Sequence, residues 1–227
     1  MTRAALIAAT AAGAAAALWL FRRSPNTTTT GEAEAEQDTS AAAPLWNMAD
    51  MIGEQLSMTP STDTDTAERN IAAFLAMIRT AEGTAGPNGY RTMFGGQLFE
   101  GWADHPRRAL QFRDKAGRQL WTSAAGAYQF MAVSPIPTGG STSVNTWDRI
   151  AARLGLPDFS PASQDAAAVE LIREAGALGD VRAGRFDQAV SKVRGIWASM
   201  PGAGYAQPEK SLEALRFAYL DNGGTLA

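Results

Sequence analysis

The sequence contains no cysteine and a single histidine, His105. The first absence excludes disulfides, thiolate zinc, iron–sulfur clusters and a cysteine nucleophile. It leaves the compartment open, because disulfides are optional outside the cell. One histidine is too few for a histidine metal cage and argues against a serine triad. Charge of one sign is also missing: 20 Lys and Arg against 23 Asp and Glu leave a formal charge of -3, without the basic excess of a nucleic-acid binder. No glycine-rich phosphate loop is present, and nothing in the composition calls for a metal or cofactor. What is there is enough apolar material for a core, 45% of 227 residues, which rules out a wholly disordered chain.

Composition divides the chain into three. Residues 1–23 hold an uncharged run, residues 4–21, made mostly of alanine and carrying Leu6, Ile7, Leu18, Trp19, Leu20 and Phe21. It is just long enough to span a bilayer and weakly hydrophobic, so it reads as a signal anchor or transmembrane segment. The alternative is an alanine-rich helix packed against other proteins. Arg22 and Arg23 stand where a cleavage site would be expected, which favours retention of the segment. Residues 24–66 are rich in Thr, Ser and acids and read as an acidic flexible linker, interrupted by an apolar stretch with Trp46, Met48, Met51 and Ile52. Residues 1–66 carry three basic and eight acidic side chains, whereas residues 67–227 carry 17 and 15, so the folded part is mildly basic.

Within residues 67–227, Ile71, Phe74, Leu75 and Ile78 repeat at helical spacing behind a candidate N-cap at Thr66. Gly83 and the Gly86-Pro87-Asn88-Gly89 cluster end that helix near Ala81, leaving Glu82 at its last turn. Short strands are expected over 90–94 and 97–99, joined at Gly95-Gly96. Helices are expected over 124–133, 146–154, 160–175, 185–198 and 209–222. The fold class is therefore α+β, a mostly helical domain with a small β-hairpin lobe, preceded by an N-terminal apolar helix and a flexible tether.

With sulfur and imidazole chemistry removed, carboxylates, hydroxyls and amides remain, and carboxylate chemistry on a sugar is the natural candidate. A lone glutamate ending a hydrophobic helix beside a hairpin can be desolvated, which raises its pKa into the range of a general acid. Glu82 has that setting; the alternative is an ordinary solvated glutamate at a helix C-terminus.

An ordered set of segments then carries a resemblance. It comprises Ala81-Glu82-Gly83-Thr84, Gly89-Tyr90, Gly95-Gly96-Gln97-Leu98-Phe99, Asp104-His105-Pro106-Arg107, Gly126-Ala127-Tyr128-Gln129, Asp158-Phe159-Ser160-Pro161, Ser163-Gln164-Asp165, Ile196-Trp197-Ala198-Ser199 and Pro201-Gly202-Ala203-Gly204-Tyr205. Together these resemble the bacteriophage lambda endolysin family of peptidoglycan lytic transglycosylases, over residues 68–225. The resemblance implies a lysozyme-like fold with a cleft for alternating N-acetylglucosamine and N-acetylmuramic acid. It places Glu82 on the family's catalytic glutamate and implies no cofactor. In the implied mechanism the muramic acid C6 hydroxyl attacks its own anomeric carbon, so one carboxyl suffices where hydrolytic glycosidases normally need two. Asp104 and Glu100 are the acids on which a water-using muramidase would depend. A virion structural or glycan-binding protein on the same scaffold is a further alternative.

For substrate binding, Gly126-x-x-Gln129 is similar to the Gly-x-x-Gln element of goose-type lysozymes, in which the amide helps to hold the saccharide; otherwise Gln129 is a polar helix residue. Tyr128 and Tyr205 are candidates to stack on sugars or bond to their hydroxyls, the alternative being core packing. Asp104 is a candidate saccharide contact, although local hydrogen bonding within 104–107 is the simpler role. Trp197 reads as core. Residues 134–145, with two prolines and two glycines, form an insertion-like loop where the family connects more directly. The expected partners are peptidoglycan glycan strands, and the membrane through residues 4–21 or phage structural proteins, but not nucleic acid. The expected location is the inner membrane, facing the periplasm, or the virion.

Overall fold

The computed structural model describes residues 62–114, 117–204 and 209–227. The expected apolar helix and nearly all of the expected linker lie outside the described residues, as does Tyr205. Among the described residues no helix is long and apolar enough to cross a membrane.

Helix α1, Thr62–Glu82, begins four residues before the Thr66 cap that the sequence suggests. Asp63 and Asp65 in its first turn complement the positive end of the helix dipole. Its buried face carries Ile71, Phe74, Leu75, Met77 and Ile78. Phe74 meets the rings of Phe186 and Tyr219 edge-on at 6.2 and 6.3 Å. These belong to α5, Phe186–Val193, and α6, Leu212–Asp221, so the first and last helices of the domain close one core. Between them come α2, Thr146–Leu154, α3, Pro161–Glu174, and α4, Leu178–Arg182. The span of α2 is the one the sequence suggests, and α3 starts as expected with Ser160 as N-cap and Pro161 at the first helical position. The short α4 has no sequence counterpart above.

The small sheet is present but elsewhere in the chain. Strands β1, Leu110–Arg113, and β2, Gln119–Thr122, pair antiparallel with Leu110 opposite Thr122 and Arg113 opposite Gln119. The expected hairpin over 90–99 is instead two 3-10 turns, Gly89–Arg91 and Phe94–Gly96, and a lone bridge between Thr92 and Leu98. The reason is hydrogen-bond competition: Phe94 N–H donates to Ala124 O at 2.8 Å, and Thr92 O accepts from Gly126 N–H at 2.9 Å. The segment still pairs internally one residue out of the expected register, Met93 N–H donating to Gln97 O at 2.7 Å and Phe99 N–H to Arg91 O at 3.0 Å, while the outward groups of Thr92 and Phe94 go to residues 124–126.

Those residues are not helical either. Ala125 and Phe130 exchange both backbone hydrogen bonds, at 3.0 and 2.8 Å, closing a tight turn in which Gly126 and Gln129 have φ of +78° and +50°. Ala124, Ala125, Ala127 and Tyr128 are nevertheless buried, so an apolar run that reads as helix is a buried turn with its polar backbone satisfied. The 185–198 helix ends early, at Val193, and residues 196–200 continue as turns. Residues 134–145 close on themselves: Ile136 N–H donates to Gly140 O at 3.1 Å, and the hydroxyls of Ser134 and Thr142 both donate to Ala132 O.

Candidate active site

Helix α1 ends in a Schellman motif. Gly83, with φ +74°, donates to Thr80 O, and Thr84 N–H reaches back to Arg79 O at 2.8 Å. This fixes Glu82 as the last helical residue and turns the chain sharply beneath it. Thr84 then locks the turn, its hydroxyl donating to Ala127 O at 2.5 Å. Gly89 seats over the same corner, where a Cβ would lie 1.7 Å from Thr84 O.

Glu82 is 8% exposed. Its Oε1 accepts a hydrogen bond of 2.6 Å from the hydroxyl of Ser199, in the turn beyond α5. Burial disfavours the carboxylate and pushes the pKa up to about 7, while the Ser199 hydroxyl pulls it partly back. A carboxyl poised there can give up and take back a proton near neutrality, the requirement for one group to act as acid and then as base. Ser199 ends the Ile196-Trp197-Ala198-Ser199 segment, but nothing in its local pattern singles it out from other loop serines. Its meeting with Glu82 spans 117 positions of sequence.

Gln129 is buried, and its amide nitrogen donates to Gly126 O at 2.9 Å and Thr92 O at 3.1 Å. Two carbonyl partners fix which end of the amide is nitrogen. Tyr128 is 1% exposed and is no open stacking platform. Its hydroxyl donates to Asp165 Oδ1 at 2.5 Å, while Arg79 donates to the hydroxyls of Tyr90 and Tyr128. Burial pushes the Tyr128 pKa up, so the phenol stays protonated. Trp197 is core, and its indole N–H donates to Tyr128 O at 3.1 Å.

Asp104 is committed to its neighbours. It accepts from Arg107 Nε at 2.6 Å and from His105 N–H at 2.7 Å, and burial, which raises its pKa, is outweighed by these donors. His105 is buried between Phe130 O on Nε2 and the Arg107 backbone N–H on Nδ1, an arrangement that requires the neutral Nε2–H tautomer. Burial drives its pKa down to about 4. Glu100 is 90% exposed and paired with Arg91. A cavity of about 400 Å³ opens between the 128–131 turn, α2, α3 and α5, walled by Gln129, Met131, Arg149, Glu174, Lys192 and Ile196. Glu82 is not part of its wall; Gln129 is the candidate shared with it besides Tyr128.

The arrangement of helices around one small antiparallel hairpin has counterparts in known proteins. The endolysin family model matches residues 72–226. The chain belongs to the endolysin family. It is 40% identical to the endolysin of Escherichia phage P2 over 172 residues, covering 70% of this chain and 96% of the relative. It is 38% identical to that of Escherichia phage lambda over 160 residues, 68% and 91% of the two chains. Among solved structures, the bacteriophage lambda lysozyme complexed with a chitohexasaccharide superposes with a TM-score of 0.60 at 36% identity, covering 70% of this chain and 97% of that one. A second lambda lysozyme structure gives 0.58 with the same identity and coverage. This endolysin therefore has the lysozyme-like fold and degrades peptidoglycan. The family match starts at residue 72, beyond both the apolar run and the acidic segment.

Proposed function

We propose that the chain is a peptidoglycan lytic transglycosylase that cleaves the MurNAc–GlcNAc bond, with Glu82 as the single acid and base. Protonated Glu82 gives its proton to the glycosidic oxygen as the bond to the anomeric carbon breaks. The resulting carboxylate takes the proton of the muramic acid C6 hydroxyl, whose oxygen bonds to the anomeric carbon and leaves a 1,6-anhydro end. The proton count closes on Glu82 and no water is consumed. The observation that carries this reading is the burial of Glu82 with the Ser199 hydroxyl on its Oε1, burial pushing the carboxyl pKa up to about 7. The two other acids considered for the site support it by their engagements, Asp104 with Arg107 and Glu100 with Arg91.

Gln129 is the proposed saccharide contact. Both amide protons are taken by backbone carbonyls, which leaves Oε1 as the end that can accept from a sugar hydroxyl. The chitohexasaccharide bound by the lambda relative supports a glycan in the site. Tyr205 and Asp104 are proposed as peripheral contacts only. The uncharged run of residues 4–21 supports attachment to the inner membrane, from which the domain reaches the wall. Membrane fractionation of cells expressing the full chain checks this, and recovery in the soluble fraction overturns it.

Mass spectrometry of muropeptides released from purified sacculi decides the chemistry. Products one water lighter than reducing ends are expected for intramolecular attack. Full-mass reducing ends would make the enzyme a hydrolytic muramidase. No products, with the glycan retained, would make the domain a binding scaffold.

A further inference from the structure

Two consecutive residues of α3 hold the segments on either side of the Glu82 corner. Gln164 is fully buried; its Oε1 accepts from Ala127 N–H at 2.8 Å, and its Nε2 donates to Tyr90 O at 3.0 Å and Phe159 O at 2.8 Å. Asp165, next in sequence, takes the hydroxyls of the same two segments on one oxygen, Tyr90 at 2.8 Å and Tyr128 at 2.5 Å. Residues 90 and 127–128 are thus each gripped twice, once by backbone and once by phenol.

These segments carry the site. Ala127 O receives the Thr84 hydroxyl two residues beyond Glu82, and the 126–129 turn presents Gln129. The turn also needs holding. Gln129 sits at φ +50°, where a residue with a side chain costs about 1 kcal/mol. Gly126 lies so close to α3 that a Cβ would be 2.3 Å from Gln164 Oε1. A fully buried amide is expensive unless every bond is made, and an apolar side chain would fill the space at lower cost. All three of its bonds go to backbone, two of them to the segments that flank the site.

We propose that Gln164 and Asp165 are positioning residues for the reaction, setting the placement of Glu82 through the Tyr90 and Ala127–Tyr128 segments. The inference rests on the reading of Glu82 as the acid. Releasing either grip loosens the Thr84–Ala127 tie and admits water to the Glu82 carboxyl, which burial holds near neutrality.

The test uses the full chain carrying Gln164→Met, Asp165→Ala or Asp165→Asn, with kcat and KM on soluble glycan strands. The Glu82 titration is followed by carboxyl carbon NMR, its resonance assigned by difference from Glu82→Gln. In Asp165→Ala a 10-fold to 100-fold fall in kcat is expected with KM changed no more than about twofold, as for a misplaced catalytic group. The Glu82 midpoint should move down toward ordinary carboxyl values. Asp165→Asn keeps an acceptor for both phenols and should recover most of the loss. A folded Asp165→Ala protein with wild-type kcat and an unmoved midpoint overturns the proposal. So does a loss of activity that only follows the melting temperature while the midpoint stays put. If Gln164→Met does not fold, the Asp165 pair decides alone. If Glu82→Gln itself turns over normally, the acid assignment fails, whereas the NMR midpoint still reports whether α3 sets the environment of that carboxyl.

Discussion

The hydroxyl of Ser199 donates to Glu82 Oε1 at 2.6 Å and is the side-chain hydrogen bond on an otherwise desolvated carboxyl. A donor of this kind favours the charged form, so it holds the pKa below the value burial alone would set. Ser199→Ala should therefore move the basic limb of the activity profile to higher pH and leave the fold intact. A pH–rate profile of kcat/KM checks this; a limb moving to lower pH would contradict the role given to the hydroxyl.

Glu82→Gln should abolish turnover and stabilise the protein at alkaline pH. The folded pKa, about 7, lies above the ordinary 4.5, so between these values the folded state holds a proton that the unfolded state has lost. Stability from this group is full below pH 4.5 and declines as pH rises through 7. Replacing Glu82 should gain up to about 3 kcal/mol at pH 8 and little at pH 4. Urea denaturation of both proteins at the two pH values measures the difference.

His105 should give the opposite slope. Its folded pKa of about 4 lies below the ordinary 6.5, so between those values the unfolded state binds the extra proton. Stability is full above pH 6.5 and falls as pH drops toward 4, by about 3 kcal/mol. Because Glu82 runs against it in the same window, the measurement belongs in the Glu82→Gln background. A flat profile there would mean that His105 is not held neutral.

Gly126→Ala should be costly in stability and activity together. The added methyl meets Gln164 Oε1 at 2.3 Å and its Cδ at 2.8 Å, at a residue with φ +78°. Overpacking and left-handed strain together predict about 2–4 kcal/mol. Thermal unfolding of the variant checks the magnitude. A loss below about 1 kcal/mol would show that the turn and α3 separate easily.

Local signals along the chain suffice for the helices whose apolar spacing and caps agree, α2 and α3 above all, and for the end of α1 at Glu82-Gly83. There the signal is local, since a glycine in the left-handed region stops a helix wherever it stands. The ordered set of short segments also identifies the family, and with it Glu82 as the candidate acid. Local pattern misplaces the hairpin and reads the 124–133 turn as helix, because the donors and acceptors that decide both come from distant residues. Phe94 pairs with Ala124, and Ala127 with Gln164, and no local propensity reports such partners. The buried state of Glu82, its meeting with Ser199 and the double grip of α3 were likewise decided only by the tertiary structure. Desolvation and hydrogen-bond geometry belong to groups brought together across 37 to 117 positions of chain, and spacing along the sequence does not encode them.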